Sequence, residues 1–205
     1  MTGTADVLAA ARHMLGAAVP EEFLADWPAS CQPSRHQPPH ALPVLAFLPA
    51  CTAEGQAADL VRHIKEAAIQ WAWRQTYAAG QADPAFLVRY GWAELIGRNG
   101  PVASDSLACG VLLLGPDTLY PRHSHEAEEI YLPLAGAAWW QRGVEPWQRR
   151  PPGTPIHHPS GVPHAMRTEA HALLALYLWR GPGLEGKSRL EATAPAASSA
   201  DRRAS

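Results

Sequence analysis

Four side chains able to ligate a metal fall between His123 and His164, and their spacing says more than any other part of the chain. The first segment reads His123-Ser124-His125-Glu126-Ala127-Glu128-Glu129-Ile130-Tyr131, with Gly136 following. Side chains alternate between the faces of a strand, so His123 and His125 point the same way, and Glu129 and Tyr131 do so one short turn later. The second segment runs from Gly153 through His157, His158, Pro159 and Gly161 to His164; Gly and Pro shape a turn there, and His164 can supply a third imidazole. Three imidazoles and a carboxylate suit one divalent transition metal ion, and Fe, Zn, Mn, Ni or Co would each be accepted according to supply.

These residues resemble the cupins. His123, His125, Glu129 and Gly136 meet the first cupin motif, and Gly153, Pro159, Gly161 and His164 meet the second. Two positions depart from the pattern: seven residues separate Gly115 from His123, more than the motif has, and Thr168 stands where the second motif ends in Asn. Neither is a ligand position. Within the cupins, the string His123, His125, Ala127, Glu129, Tyr131 is similar to the Ddd-type dimethylsulfoniopropionate (DMSP) lyases, a likeness that Tyr120, Trp139 and Tyr177-Leu178-Trp179 extend. The resemblance implies a mainly β fold, a cupin-type double-stranded β-helix barrel (jelly roll) with an α-helical N-terminal extension. It also implies a carbon-sulfur lyase that splits DMSP into dimethyl sulfide and acrylate, with His123, His125, Glu129 and His164 on the metal.

The residue types suit that β-elimination. Tyr131 shares parity with Glu129, so its phenol should face the interior; a nearby divalent cation would lower its ordinary pKa of about 10 and make it a usable base. Tyr120 has parity opposite to His123 and reaches the cavity only if Pro121 kinks the strand or a bulge shifts the register. It is then an alternative base, a gate or a substrate contact. Aromatic faces hold a sulfonium, and Trp139 and Trp179 are the candidate walls; Trp139 and its neighbour Trp140 face opposite ways, and Trp139 is the expected cavity residue. His157, His158 and His171 are expected to be solvated or structural. Two rival readings remain: another metallo-cupin enzyme, an Fe(II) dioxygenase or an isomerase, or a cupin that binds a small molecule without turnover.

Composition narrows the partners. The 205 residues carry a net charge of -2, so no broad basic field is available for nucleic acid or an anionic membrane, and a small-molecule sulfonium carboxylate is favoured. The three cysteines, Cys31, Cys51 and Cys109, have no CxxC spacing, and neither a disulfide framework nor a zinc-thiolate site is implied. The amino end lacks a basic, then apolar, leader, and the chain reads as cytoplasmic.

Three regions should position the site. Residues 1–103 read as a helical region packing on the barrel, where it covers the mouth or forms a homodimer contact. Helices are expected over 4–15, 20–27, within 52–77 (stripe Leu60, Val61, Ile64, Ala68, Trp71) and from Pro84 to Ile96 after an Asp83 cap. Residues 104–186 read as the barrel, with strands over 107–114, 118–125, 129–134, 137–142, 153–157, 164–168 and 172–179. Residues 187–205 carry too little apolar surface to offset ordering and read as a disordered tail.

Overall fold

The computed structural model describes residues 2–191. Helix α1 covers Thr4–Ala18 and helix α2 Gln56–Ala67, with 3-10 turns at Glu21–Leu24, Pro43–Ala50 and Ala68–Gln70. The expected stripe on α2 buries Leu60, Val61 and Ile64, whereas Trp71 is buried from an extended segment beyond the helix. No helix among the described residues is long and apolar enough to cross a membrane.

The helix expected from Pro84 to Ile96 is a correction. Asp83 does cap a helix, its carboxylate accepting from the backbone N–H of Ala85 and Phe86, but helix α3 stops at Pro84–Val88 and strand β1 runs over Tyr90–Gly97. The cap acts only on the first turn; beyond it, strand pairing decides the conformation. Tyr90 and Trp92 turn to one face and Ala93 and Leu95 to the other, and β1 lies antiparallel to β3, Leu107–Leu114. The sheet therefore begins at residue 90, ahead of the expected boundary at 104.

The remaining strands are β2 (Val102–Ala103), β4 (Leu119–Ser124), β5 (Glu128–Ala135), β6 (Ala138–Arg142), β7 (Gln148–Arg150), β8 (Ile156–His158), β9 (His164–Thr168), β10 (Leu173–Arg180) and β11 (Arg189–Leu190). They form a six-stranded sheet, β2-β1-β3-β10-β5-β8, and a five-stranded sheet, β11-β4-β9-β6-β7. One face of the larger sheet packs on the helices through Val111, Leu113, Leu132, Leu176 and Leu178. Its other face meets the smaller sheet, where Leu112, Tyr131 and Tyr177 share a core with Tyr120, Trp140 and Met166. Burial on both faces explains why β3 and β10 read as unbroken apolar runs. Gly136 turns the chain between β5 and β6 with φ +75°, and a Cβ there would stand 2.1 Å from the Ala172 carbonyl oxygen, so only glycine fits. The expected tail is corrected in part: Arg189 and Leu190 pair with Ser124 and His123 of β4. Residues 192–205 lie outside the described residues.

Candidate metal centre and its cavity

His125 sits in the turn after β4, Glu129 on β5 and His164 at the start of β9, and one ligand atom from each lies within 4.8 Å of the others. All three are buried, Glu129 completely. Each imidazole is oriented by its own backbone: His125 Nδ1 lies 2.8 Å from the Ala127 carbonyl oxygen and His164 Nδ1 3.0 Å from that of Val162. A carbonyl can only accept, which puts a proton on Nδ1 and leaves the Nε2 lone pair facing inward. His125 Nε2 is 3.0 Å and His164 Nε2 3.3 Å from Glu129 Oε2, and His164 Nε2 has no hydrogen-bond geometry to any partner. Lone pairs aimed at a buried carboxylate oxygen repel it unless a proton or a cation stands among them, and the donor set suits a divalent transition metal.

Electrostatics agree with that need for positive charge. Burial disfavours the Glu129 charge, yet His125 and His164 outweigh it and hold the carboxylate well below its usual range. Burial likewise opposes a charged His125, but Glu129 prevails and raises it.

His123, expected as a fourth ligand, stands to the side of this group. Its Nδ1 lies 2.8 Å from the Pro121 carbonyl oxygen, its ring is 4.2 Å from that of His164 and 6.4 Å from that of His125, and it stacks on Tyr120 at 4.0 Å. His123 pairs directly with His164 across β4 and β9, and the register shifts between Tyr120 and His123. That same shift turns Tyr120 inward, as a bulge would have to.

The centre opens on a cavity of about 610 Å³ lined by Tyr120, His123, Tyr131, Tyr177, Trp179 and Trp92 among others. Tyr131 faces the cavity, as its parity implied, and Trp179 is the one of the two candidate walls that lines it. Trp179 stacks on His125 with ring centres 4.1 Å apart, and its Nε1 donates to Glu129 Oε1 at 2.5 Å. Burial, then the Glu129 charge, pushes the Tyr131 phenol well above its ordinary value; burial and the neighbouring tyrosines do the same to Tyr120.

Trp139 is a correction. It donates to Glu169 and lies under Arg167, away from the cavity, while Trp140 turns inward against Tyr131. Pairing with β9 decides between them, since Trp140 lies opposite the fully buried Met166. His158, expected as solvated or structural, is completely buried face to face with His164 at 3.9 Å, and neither ring nitrogen has a partner.

Sequence reasoning missed Tyr90, Trp92 and Tyr177 as cavity residues. Tyr177 was within reach through its parity with Trp179, whereas Tyr90 and Trp92 were hidden by the helix expected over β1. All five tyrosines of the chain, Tyr77, Tyr90, Tyr120, Tyr131 and Tyr177, belong to this one cluster.

Residues 24–175 match the family described as dimethylsulfoniopropionate lyase. The chain belongs to that family. It is 46% identical over 109 residues to the dimethylsulfoniopropionate lyase DddQ of Ruegeria pomeroyi, a match covering 53% of this chain and 54% of that relative. The match thus spans about half the length of that curated relative. Among solved structures, the fold is similar to that of one chain from the work described as crystal structures of DMSP lyases RdDddP and RnDddQII, with TM-score 0.84, 34% identity, and 91% of this chain and 96% of that one covered. It is also similar to the crystal structure of DMSP lyase DddQ from Ruegeria pomeroyi DSS-3, with TM-score 0.83, 33% identity and 91% and 95% coverage. The two-sheet barrel behind its N-terminal helices is the cupin architecture the motifs imply.

Proposed function

We propose that this chain cleaves DMSP into dimethyl sulfide and acrylate by metal-dependent β-elimination. The observation that carries the reading is the buried His125, Glu129, His164 group facing an aromatic cavity, in a chain whose relatives are named DMSP lyases. Those three residues would hold the ion, and His123 lies beside them against His164. A divalent transition metal there supplies a fixed positive charge for the substrate carboxylate and for negative charge developing at the adjacent carbon.

The protein's own side chains account for the rest. Rings of Tyr177, Trp92 and Trp179 form a wall against which a sulfonium is attracted by the π faces, about 0.5–2 kcal/mol for each ring engaged. The oxygen of a cavity tyrosine, as the phenolate that the ion's positive charge would favour against burial, takes the α-proton; the C–H electron pair becomes the new C=C bond, and the C–S pair leaves on a neutral thioether. No acid is needed for that leaving group. Tyr131, two residues from Glu129 on β5, and Tyr120, stacked on His123 on the other sheet, are the two candidates.

Incubation of metal-loaded protein with DMSP in the absence of oxygen tests the reading. Equal amounts of acrylate and dimethyl sulfide are expected; a requirement for oxygen, or no acrylate at all, contradicts it and favours another cupin reaction.

A further inference from the structure

Three polar side chains outside the motifs converge on Tyr120. The Tyr120 hydroxyl lies 3.1 Å from that of Tyr90, the Tyr90 hydroxyl lies 2.9 Å from Thr76 Oγ1, and Thr76 Oγ1 accepts from Trp92 Nε1 at 3.2 Å. An indole N–H can only donate, so Thr76 is the acceptor at that link and its own hydrogen is free for Tyr90. The Tyr90 hydrogen is then free for Tyr120. Run in this direction, from Trp92 to Tyr120, the chain gives each of these hydrogens an acceptor. The opposite direction leaves the Thr76 hydrogen without a protein partner.

Both ends of the chain are anchored. The segment carrying Thr76 is tied to β1 by Arg74 N donating to the Trp92 carbonyl at 2.8 Å and Trp92 N donating to the Arg74 carbonyl at 3.0 Å, and Gln75 Nε2 donates to the Tyr90 carbonyl at 2.8 Å. At the other end the Tyr120 ring stacks on His123 at 4.0 Å and lies 4.8 Å from the Tyr90 ring. Stacking fixes the plane of the Tyr120 ring but does not direct its oxygen. Tyr90 is 1% exposed and Tyr120 3%, so bulk water competes little for either hydroxyl, and a hydroxyl buried without a partner is costly. A contact to Tyr77 at 3.4 Å is longer and adds less direction.

We infer that Trp92, Thr76 and Tyr90 are positioning residues that fix where the Tyr120 hydroxyl points in the cavity, so that the segment ahead of the barrel helps set the reacting geometry. The inference rests on the proposed lyase activity, with Tyr120 acting on the substrate. Misplacement of a reacting group by about 1 Å can reduce turnover by about 10².

Thr76→Val keeps the shape of the side chain and removes the hydroxyl, and Thr76→Ser returns it. The expected result with metal-loaded protein and DMSP is a kcat about 3- to 10-fold lower in Thr76→Val, with KM and bound metal near the parent and most of the rate restored in Thr76→Ser. Tyr90→Phe breaks the link nearest Tyr120 and should lose at least as much. The Thr76→Val, Tyr90→Phe double variant should be no slower than Tyr90→Phe alone, because the chain is already cut; two independent packing defects would instead add. Parent-like turnover in Thr76→Val and Tyr90→Phe beside an inactive Tyr120→Phe overturns the chain and leaves the role of Tyr120 standing, as do additive losses in the double variant. A fully active Tyr120→Phe overturns the chain together with the role of Tyr120, and a parent that forms no acrylate overturns the activity reading and this inference at once.

Discussion

Trp179→Phe should weaken metal binding without emptying the cavity wall. The indole lies flat against His125, with ring centres 4.1 Å apart and planes 28° from parallel, and a phenyl ring preserves most of that contact. What it removes is the N–H that donates to Glu129 Oε1 at 2.5 Å. Glu129 is 0% exposed, so no water replaces the lost donor. A hydrogen bond to a charged group contributes about 1.5–3 kcal/mol, which converts to a factor of about 10 to 150 in an equilibrium constant. The indole N–H holds Oε1 and so leaves Oε2 toward His125 and His164, the orientation in which a divalent ion would be held. The loss should therefore fall on the bound form, and the metal dissociation constant, measured by competition with a chelator of known affinity, should rise about 10- to 100-fold. A Trp179→Phe protein that binds metal within about twofold of the parent would refute the reasoning and return Trp179 to a purely substrate-facing role.

His125→Ala and His164→Ala should each lower bound metal, read by elemental analysis, at least about tenfold, while His123→Ala should keep most of it because its ring stands outside the group; equal loss in all three would restore His123 as a ligand. Burial raises the Glu94 carboxyl above its ordinary value against the pull of Asn99 and Arg74, so the folded state binds that proton more tightly than the unfolded chain and stability falls as pH rises past the ordinary value. Glu94→Gln should accordingly raise Tm at pH 7, and the gain should vanish below about pH 4, where the carboxyl is protonated in both states; a lower Tm at pH 7 would contradict this.

The sequence carried the centre better than the cavity, for physical reasons. Strand alternation and the Gly and Pro turns bear directly on how His125, Glu129 and His164 are presented, and parity alone put Tyr131 beside Glu129. Residues whose direction depends on a neighbouring strand were not legible. Trp139 and Trp140 differ only in which one meets Met166 across the pair, and Tyr120 enters the cavity through a shift in register against β9. The local start signal of Asp83 and Pro84 was sound for five residues, but the partner β3 overrode helix beyond Arg89 and concealed Tyr90 and Trp92. Parity says nothing about the surroundings of His158, which lies opposite Glu129 in the pairing of β5 with β8 and is buried against His164. The end of the chain was read by composition, and composition does not reveal that Arg189 and Leu190 find a free edge on β4.

The proposed DMSP cleavage depends on one metal ion held by the His125, Glu129, His164 group. Metal should be removed from the protein by chelation and added back in measured fractions while the rate of acrylate formation from DMSP is monitored. A negligible rate without metal, a linear rise, and a plateau at about one equivalent per chain are expected. A full rate in metal-free protein, or no acrylate at any metal content, would contradict that dependence.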